Sequence, residues 1–244
     1  MTDNPCSRRG FMQICGAAAL LASEAARVSA QQQPLATFER VLLTNPQGAP
    51  LTCGDLPVGR EFVFFYPYAS TPCFILKLAQ STPSSVDLQT EDGHAYQWSG
   101  GVGPERTIVA FSAICAHRMS YPAAQVSFIG YRPDTIGYLG KDNKIERTTG
   151  VIQCCSEQSL YDPAQGARVL SGPAPQPLAA IALQTEDDRL YATGVYGGAL
   201  FDRFFDRFGF RLALDFGEEH ARERVLGQAV AQPLDSYTRQ RIKC

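Results

Sequence analysis

The sequence predicts a mainly antiparallel, all-β protein, and three observations carry that expectation. From Phe38 onward, short apolar runs rich in aromatic and β-branched residues recur along the chain. Clusters of glycine and proline break these runs at close intervals, as turns between strands require. Strands so spaced suggest a sandwich or barrel rather than strands alternating with helices, and no internal repeat divides the chain. With 244 residues the chain can bury an ordinary core without staples.

The first thirty residues differ from the rest. Arg8-Arg9 stands before a short, Ala-rich apolar stretch from Ile14 to Ala22, and Val28-Ser29-Ala30 ends in a small-x-small pattern. Paired arginines in this setting resemble a twin-arginine export signal over residues 1–30, with cleavage after Ala30 and a periplasmic destination. The other reading is an amphipathic or disordered N-terminus. The apolar run is too short to span a bilayer and Glu24 interrupts it, so no transmembrane anchor is expected.

Gln31 to Pro34 reads as a polar linker, after which candidate strands follow in order. Phe38 to Leu43, Glu61 to Tyr66 and Phe74 to Leu78 are rich in aromatic and branched residues. Glu91-Asp92-Gly93 signals a turn, and Thr107 to Ser112 has the pattern of a buried strand leading into Cys115. Between His117 and Cys154 lie 36 residues, too long a connection to lack structure of its own. Tyr131-Arg132-Pro133-Asp134 and Lys141-Asp142-Asn143 mark turns within it. Gly172 to Leu178 holds too much proline for a central strand. Ile181 to Leu183 and Leu190 to Thr193 close a hairpin around Glu186-Asp187-Asp188. Beyond it, Leu200 to Phe208 mixes aromatics with paired charges. Glu218 to Gln232 has the composition of a helix, with Ala221, Val225 and Ala229 at helical spacing and Pro233 as its limit. Such a helix either packs on the same domain or serves as a docking arm.

The 22 basic and 24 acidic side chains nearly balance, which gives no ground for a nucleic-acid binder. Eight cysteines at positions 6, 15, 53, 73, 115, 154, 155 and 244 are too scattered for a disulfide scaffold. Cys53 and Cys73 could pair in an oxidising compartment, although Cys73 reads more simply as a core residue of its strand. No base–nucleophile pair is visible, so the chain does not read as a complete enzyme.

Chemistry concentrates in two short stretches. Cys115-Ala116-His117 sets a thiolate and an imidazole side by side, and Cys154-Cys155-Ser156-Glu157 supplies a further thiolate with another donor three residues on. Soft and borderline ligands in two tight turns are the pattern of a Rieske [2Fe–2S] site, in which two histidines replace two cysteines on one iron. The chain resembles a Rieske iron–sulfur protein from Phe62 to Gly198, and within that family the small subunit of arsenite oxidase. The segments that carry the resemblance are YPYASTPCFILKL (66–78), GPERTIVAFSAICAH (103–117), CCSEQSLYD (154–162) and GPAPQPL (172–178).

The resemblance implies a β-sandwich over residues 35–200 with an inserted cluster-binding lobe at 113–172, followed by a partly helical C-terminal arm at 201–244. It implies that Cys115, His117 and Cys154 are ligands and that Ser159 and Tyr161 are the hydroxyl donors to the cluster. GPAPQPL matches the loop that covers the cluster. Two positions depart from the family pattern. The cysteines that join the loops by a disulfide are here Ser120 and Ser156, and the fourth ligand, histidine in the family, is Glu157.

Three chemistries are open at that fourth position. Glu157 could ligate iron and, as an anion, lower the reduction potential. Cys155 could instead swing in to give a three-cysteine, one-histidine site, its plain alternative being a small buried thiol. Or no cluster binds, and Glu157 is a solvent-facing loop carboxylate. Only His94, His117 and His220 exist, too few to equip a mononuclear-iron oxygenase beside a cluster. The expected function is electron transfer in an exported oxidoreductase. Its implied partners are a large molybdenum-containing catalytic subunit and a cytochrome or similar acceptor. The rival is a Rieske-fold subunit without a cluster, in a structural or assembly role. A quinol-oxidising subunit ranks third, since it would need a membrane tether and two histidine ligands.

Overall fold

The structure is a computed structural model that describes residues 35–140 and 142–244. The export segment at 1–30 lies outside the described residues. The first six strands are β1 (Ala36–Thr44), β2 (Glu61–Phe65), β3 (Pro72–Lys77), β4 (Val86–Gln89), β5 (Ala95–Trp98) and β6 (Ile108–Ser112). Then come β7 (Val126–Ser127), β8 (Ile129–Leu139), β9 (Ile145–Cys154), β10 (Ser159–Asp162) and β11 (Arg168–Ser171). A hairpin of β12 (Ala180–Glu186) and β13 (Arg189–Tyr196) leads to the helix α1 (Ala199–Phe216) and the short α2 (Glu218–Ala221). The chain ends with β14 (Gln228–Val230), β15 (Gln232–Pro233), the short helix α3 (Leu234–Tyr237) and β16 (Gln240–Arg241).

The main sheet has eight strands in the order β14-β1-β13-β12-β6-β3-β2-β15. Its two ends meet. The segment 228–233 bonds β1 in parallel through β14 and β2 antiparallel through β15, while the Ala231 N–H between them donates to Thr44 O at 2.7 Å. One bent stave therefore closes the sheet and covers both edges that would otherwise be open to pairing. Inside, Phe64, Phe74, Ile75 and Phe111 are fully buried. Trp98 is buried against Phe111, with ring centroids 5.7 Å apart.

The closing stave replaces the helix expected over 218–232, of which only Glu218–Ala221 is helical. Ala229 and Ala231 are buried while Gln228 and Val230 are exposed, a period of two that suits a strand as well as their spacing suits a helix. Two open sheet edges decide the matter, because tertiary pairing overrides a weak local preference. The helix instead occupies 199–216, where Leu200, Phe201, Phe204, Phe205 and Leu212 form its buried face.

A separate four-stranded sheet, β11-β10-β9-β8, fills the connection between the loops and the return to β12. Tyr131-Arg132-Pro133-Asp134, expected as a turn, lies within β8. The pairing register slips between Arg132 and Thr135, so the proline sits at a bulge. Of the turn expected at 141–143, Lys141 lies outside the described residues, while Asp142 and Asn143 stand between β8 and β9; the turn at Asp187-Asp188 joins β12 to β13 with both residues left-handed.

Candidate functional site

Two loops meet at one end of the four-stranded sheet. The first leaves β6 and carries Cys115, Ala116 and His117; the second joins β9 to β10 and follows Cys154. Ile129 and Ser159 flank Cys154 in register, so its position is set by pairing on both sides. The tetrapeptide Cys155–Gln158 turns through Gln158 at a φ of 63°. Gly172, from the proline-rich segment, lies directly behind this turn. A Cβ there would come 2.6 Å from Ser159 Cα and 2.7 Å from Gln158 O, so only glycine lets the segment approach so closely.

The six predicted site residues come together in two pairs and two supports. The Cys115 and Cys154 thiols, both fully buried, hydrogen-bond each other. The Tyr161 hydroxyl accepts from Ala116 N–H at 3.1 Å, which leaves its own proton for Cys115 Sγ at 3.3 Å. The donated bonds from Cys154 and Tyr161 hold the Cys115 thiol down at about 6 despite its burial. The bond to the Cys115 sulfur, together with burial, pushes the Cys154 thiol well up.

His117 and Glu157 form the second pair, with imidazole Nδ1 against the carboxylate. The Glu157 side chain is only 11% exposed, which removes the reading of a solvent-facing loop residue. Arg118 Nε stands 3.2 Å from its other oxygen. Neither contact has hydrogen-bond geometry. His117 Nδ1, both Glu157 carboxylate oxygens and Ser159 Oγ are therefore buried polar atoms without a hydrogen bond among the described residues. Atoms so placed ordinarily find partners, and leaving one unmade costs on the order of 1–3 kcal/mol. Each member of the site thus lies near its neighbours, while no three of the described His, Cys, Asp or Glu side chains converge on a single point.

Ser120 and Ser156 also meet: Ser120 Oγ donates to Ser156 Oγ at 2.9 Å. The covalent staple is elsewhere. Cys155 is disulfide-bonded to Cys244, which corrects both its reading as a fourth ligand and its reading as a small buried thiol. Cys53 and Cys73 are unpaired and buried, and Cys73 lies in β3 with its thiol donating to Tyr66 O at 3.1 Å. His94 contacts Asp92 and is half-buried, and His220 contacts Glu223 and is exposed; both are far from the loops in sequence.

Three contributors escaped the sequence reading. Arg118 was legible as a cation next to a ligand. Arg203 reaches from α1 to donate to Ala116 O at 3.2 Å and also pairs with Glu91, but nothing in its local pattern connects it to residue 116. Cys244 stands 89 residues from its partner.

No family model matches the sequence. Iodate reductase subunit IdrB of Denitromonas iodatirespirans is 26% identical to it over 192 residues, spanning 78% of this chain and 82% of that protein. Among solved structures, the soluble domain of Rieske protein II (soxF) from Sulfolobus acidocaldarius is 27% identical. It covers 65% of this chain and 78% of that one, with a TM-score of 0.42. The chain is thus similar to a subunit of an iodate reductase over most of its length. No described helix is long and apolar enough to cross a membrane.

Proposed function

We propose that the chain is the electron-transfer subunit of an exported oxidoreductase and carries a Rieske-type [2Fe–2S] cluster between its two loops. The observation that carries the reading is the division of four side chains into a thiol pair, Cys115 with Cys154, and an imidazole–carboxylate pair, His117 with Glu157. Rieske centres divide their donors in the same way, two sulfurs on one iron and two other ligands on the second. The donor set fits such a group. Both thiols are buried, one is already inclined to be thiolate, and the orphaned atoms of His117, Glu157 and Ser159 lack only something to bind. Bound there, the cluster would take up and release one electron at a time.

The surrounding residues would tune that exchange. The Tyr161 hydroxyl donates to the Cys115 sulfur and draws charge from it, which favours the reduced form. Buried Ser159 Oγ is free to donate in the same sense. Glu157 is an anion where the family has a neutral imidazole, so it works against an added electron. Arg118 offsets it in part, screened by its own 67% exposure. The His117 side chain is 35% exposed and offers the edge through which an electron leaves.

A large catalytic subunit, of the molybdenum-containing kind that the arsenite oxidase resemblance implies, would lie on one side of the exchange and a cytochrome or similar carrier on the other. The likeness to a subunit of an iodate reductase supports membership of such a complex, with an oxyanion as its substrate. Periplasmic delivery by the twin-arginine route rests on Arg8-Arg9 and the apolar stretch after them.

One observation favours the rival, a structural subunit without a cluster. The two thiols meet part of each other's polar needs unaided, and the His117 imidazole and the Glu157 carboxylate lie against each other with no group between them. Iron and acid-labile sulfide analysis decides between the two. About two irons and two sulfides per chain, as a [2Fe–2S] centre requires, support the carrier. Colourless, iron-free protein made alongside its own maturation system would leave the structural reading.

A further inference from the structure

The last seven residues run along the segment 123–127, which leads into β8, the strand paired with β9 and Cys154. Thr238 Oγ1 donates to Ala123 O at 2.7 Å and Arg239 N–H to Ala124 O at 3.0 Å. β16 then pairs in parallel with β7, and Ile242 N–H donates to Ser127 O at 2.9 Å. Arg241 forms an ion pair with buried Glu61 of β2 and reaches Tyr131 O at 3.4 Å. Arg132 donates both to Cys244 O at 3.0 Å and to Gln153 Oε1 at 3.1 Å. The Cys155–Cys244 disulfide closes the path, and Cys155 N–H donates to Phe128 O at 2.7 Å. Apart from the anchor at Glu61, these contacts fall on residues 123–132 or 153–155. Where the resemblance implies a disulfide between the two loops, Ser120 and Ser156 form a hydrogen bond instead, worth on the order of 1 kcal/mol or less at an exposed site.

We propose that the C-terminal segment is a strap that positions the second loop, with Cys155–Cys244 as its lock. It restrains Cys154 and Glu157 from behind, where a covalent bond between the loops would restrain them from the side. The strap itself follows from the contacts of the tail; its role in presenting Cys154 and Glu157 to iron rests on the function proposed for the site. A cross-link across 89 residues removes much of the open loop's conformational freedom, and it acts on the residue adjacent to Cys154. Locking joins the sulfurs of Cys155 and Cys244 with loss of two protons and two electrons, which a protein or small-molecule disulfide accepts to leave as a dithiol. Cys244 is exposed and open to that exchange, so the lock closes in an oxidising compartment and opens in a reducing one.

Peptide mapping of the full chain under non-reducing conditions, combined with amide hydrogen exchange, tests this. Oxidised wild type should yield the Cys155–Cys244 peptide pair. In Cys244→Ser, and in wild type treated with a phosphine reductant, the amides of 155–159 should exchange about tenfold faster or more, while those of β3 and β6 stay unchanged. Adding Ser120→Cys and Ser156→Cys to Cys244→Ser should restore slow exchange once the new bond has formed. Free thiols at both 155 and 244 in oxidised protein would overturn the proposal. So would unchanged exchange when the bond is lost, or failure of the formed 120–156 bond to restore protection. Iron-loaded and iron-free samples are measured side by side, so absent iron counts against the electron-transfer reading alone and the exchange rates against the strap alone.

Discussion

Inside the closed sheet, burial and polarity agree; at the loop tips they conflict. Phe64, Phe74, Ile75 and Phe111 are as buried as any residue in the molecule, and they are apolar. Both sheet edges are covered by the stave at 228–233. Ser159 is buried to the same degree, but its hydroxyl has no hydrogen bond, and Glu157 keeps a nearly buried carboxylate against His117. The sheet is built to be stable without help. The loops hold an arrangement that costs stability and that a bound group would repay. Tension of this kind, carried by a rigid support, is what a cofactor site looks like from the protein's side.

Substitutions that act on one region only should break the comparison cleanly. The largest effect belongs to the sheet. Phe111→Ala removes a fully buried ring against Trp98 and should cost about 3–5 kcal/mol in urea unfolding. Cys154→Ser should do the reverse. Iron binding is lost, while far-UV circular dichroism and the unfolding midpoint remain near wild type; an unchanged iron content would remove Cys154 from the site.

Finer substitutions sharpen the account of the loops. Tyr161→Phe removes the donor to Cys115 Sγ and should lower the midpoint potential by about 60 mV, the one-electron equivalent of a charge-assisted hydrogen bond of about 1.4 kcal/mol. Glu157→His replaces an anion with a neutral donor and should raise the potential in protein-film voltammetry; an unmoved potential would return Glu157 to a purely structural role. Arg118→Gln should lower it by the smallest amount, and less still at high salt, because its guanidinium is mostly in water.

The sequence made the sheet legible where burial is continuous or alternating, at β1, β2, β3, β6 and the β12–β13 hairpin. It also exposed the loops, because thiols, an imidazole and a carboxylate at short spacing have few other uses. Local pattern failed where a distant partner decides. Pro133 signals a turn, yet the bulge in β8 accommodates it. The spacing of Ala221, Val225 and Ala229 suits a helix, yet two open edges draw residues 228–233 into the sheet. The true helix did leave a signal in Leu200, Phe201, Phe204, Phe205 and Leu212, spaced by three, four or seven residues on one helical face. The Cys155–Cys244 bond left none, since a terminal cysteine has no local context that names its partner.

At the proposed cluster, one histidine and one carboxylate take the place of two histidines beside a pair of thiolates. Pulsed electron paramagnetic resonance of the reduced protein, purified without air and labelled with ¹⁵N-histidine, tests it most directly. A single directly coordinated imidazole nitrogen, lost in His117→Ala and joined by a second in Glu157→His, is the predicted result. Two histidine couplings in the wild-type protein, or a [2Fe–2S] signal with none, would contradict it.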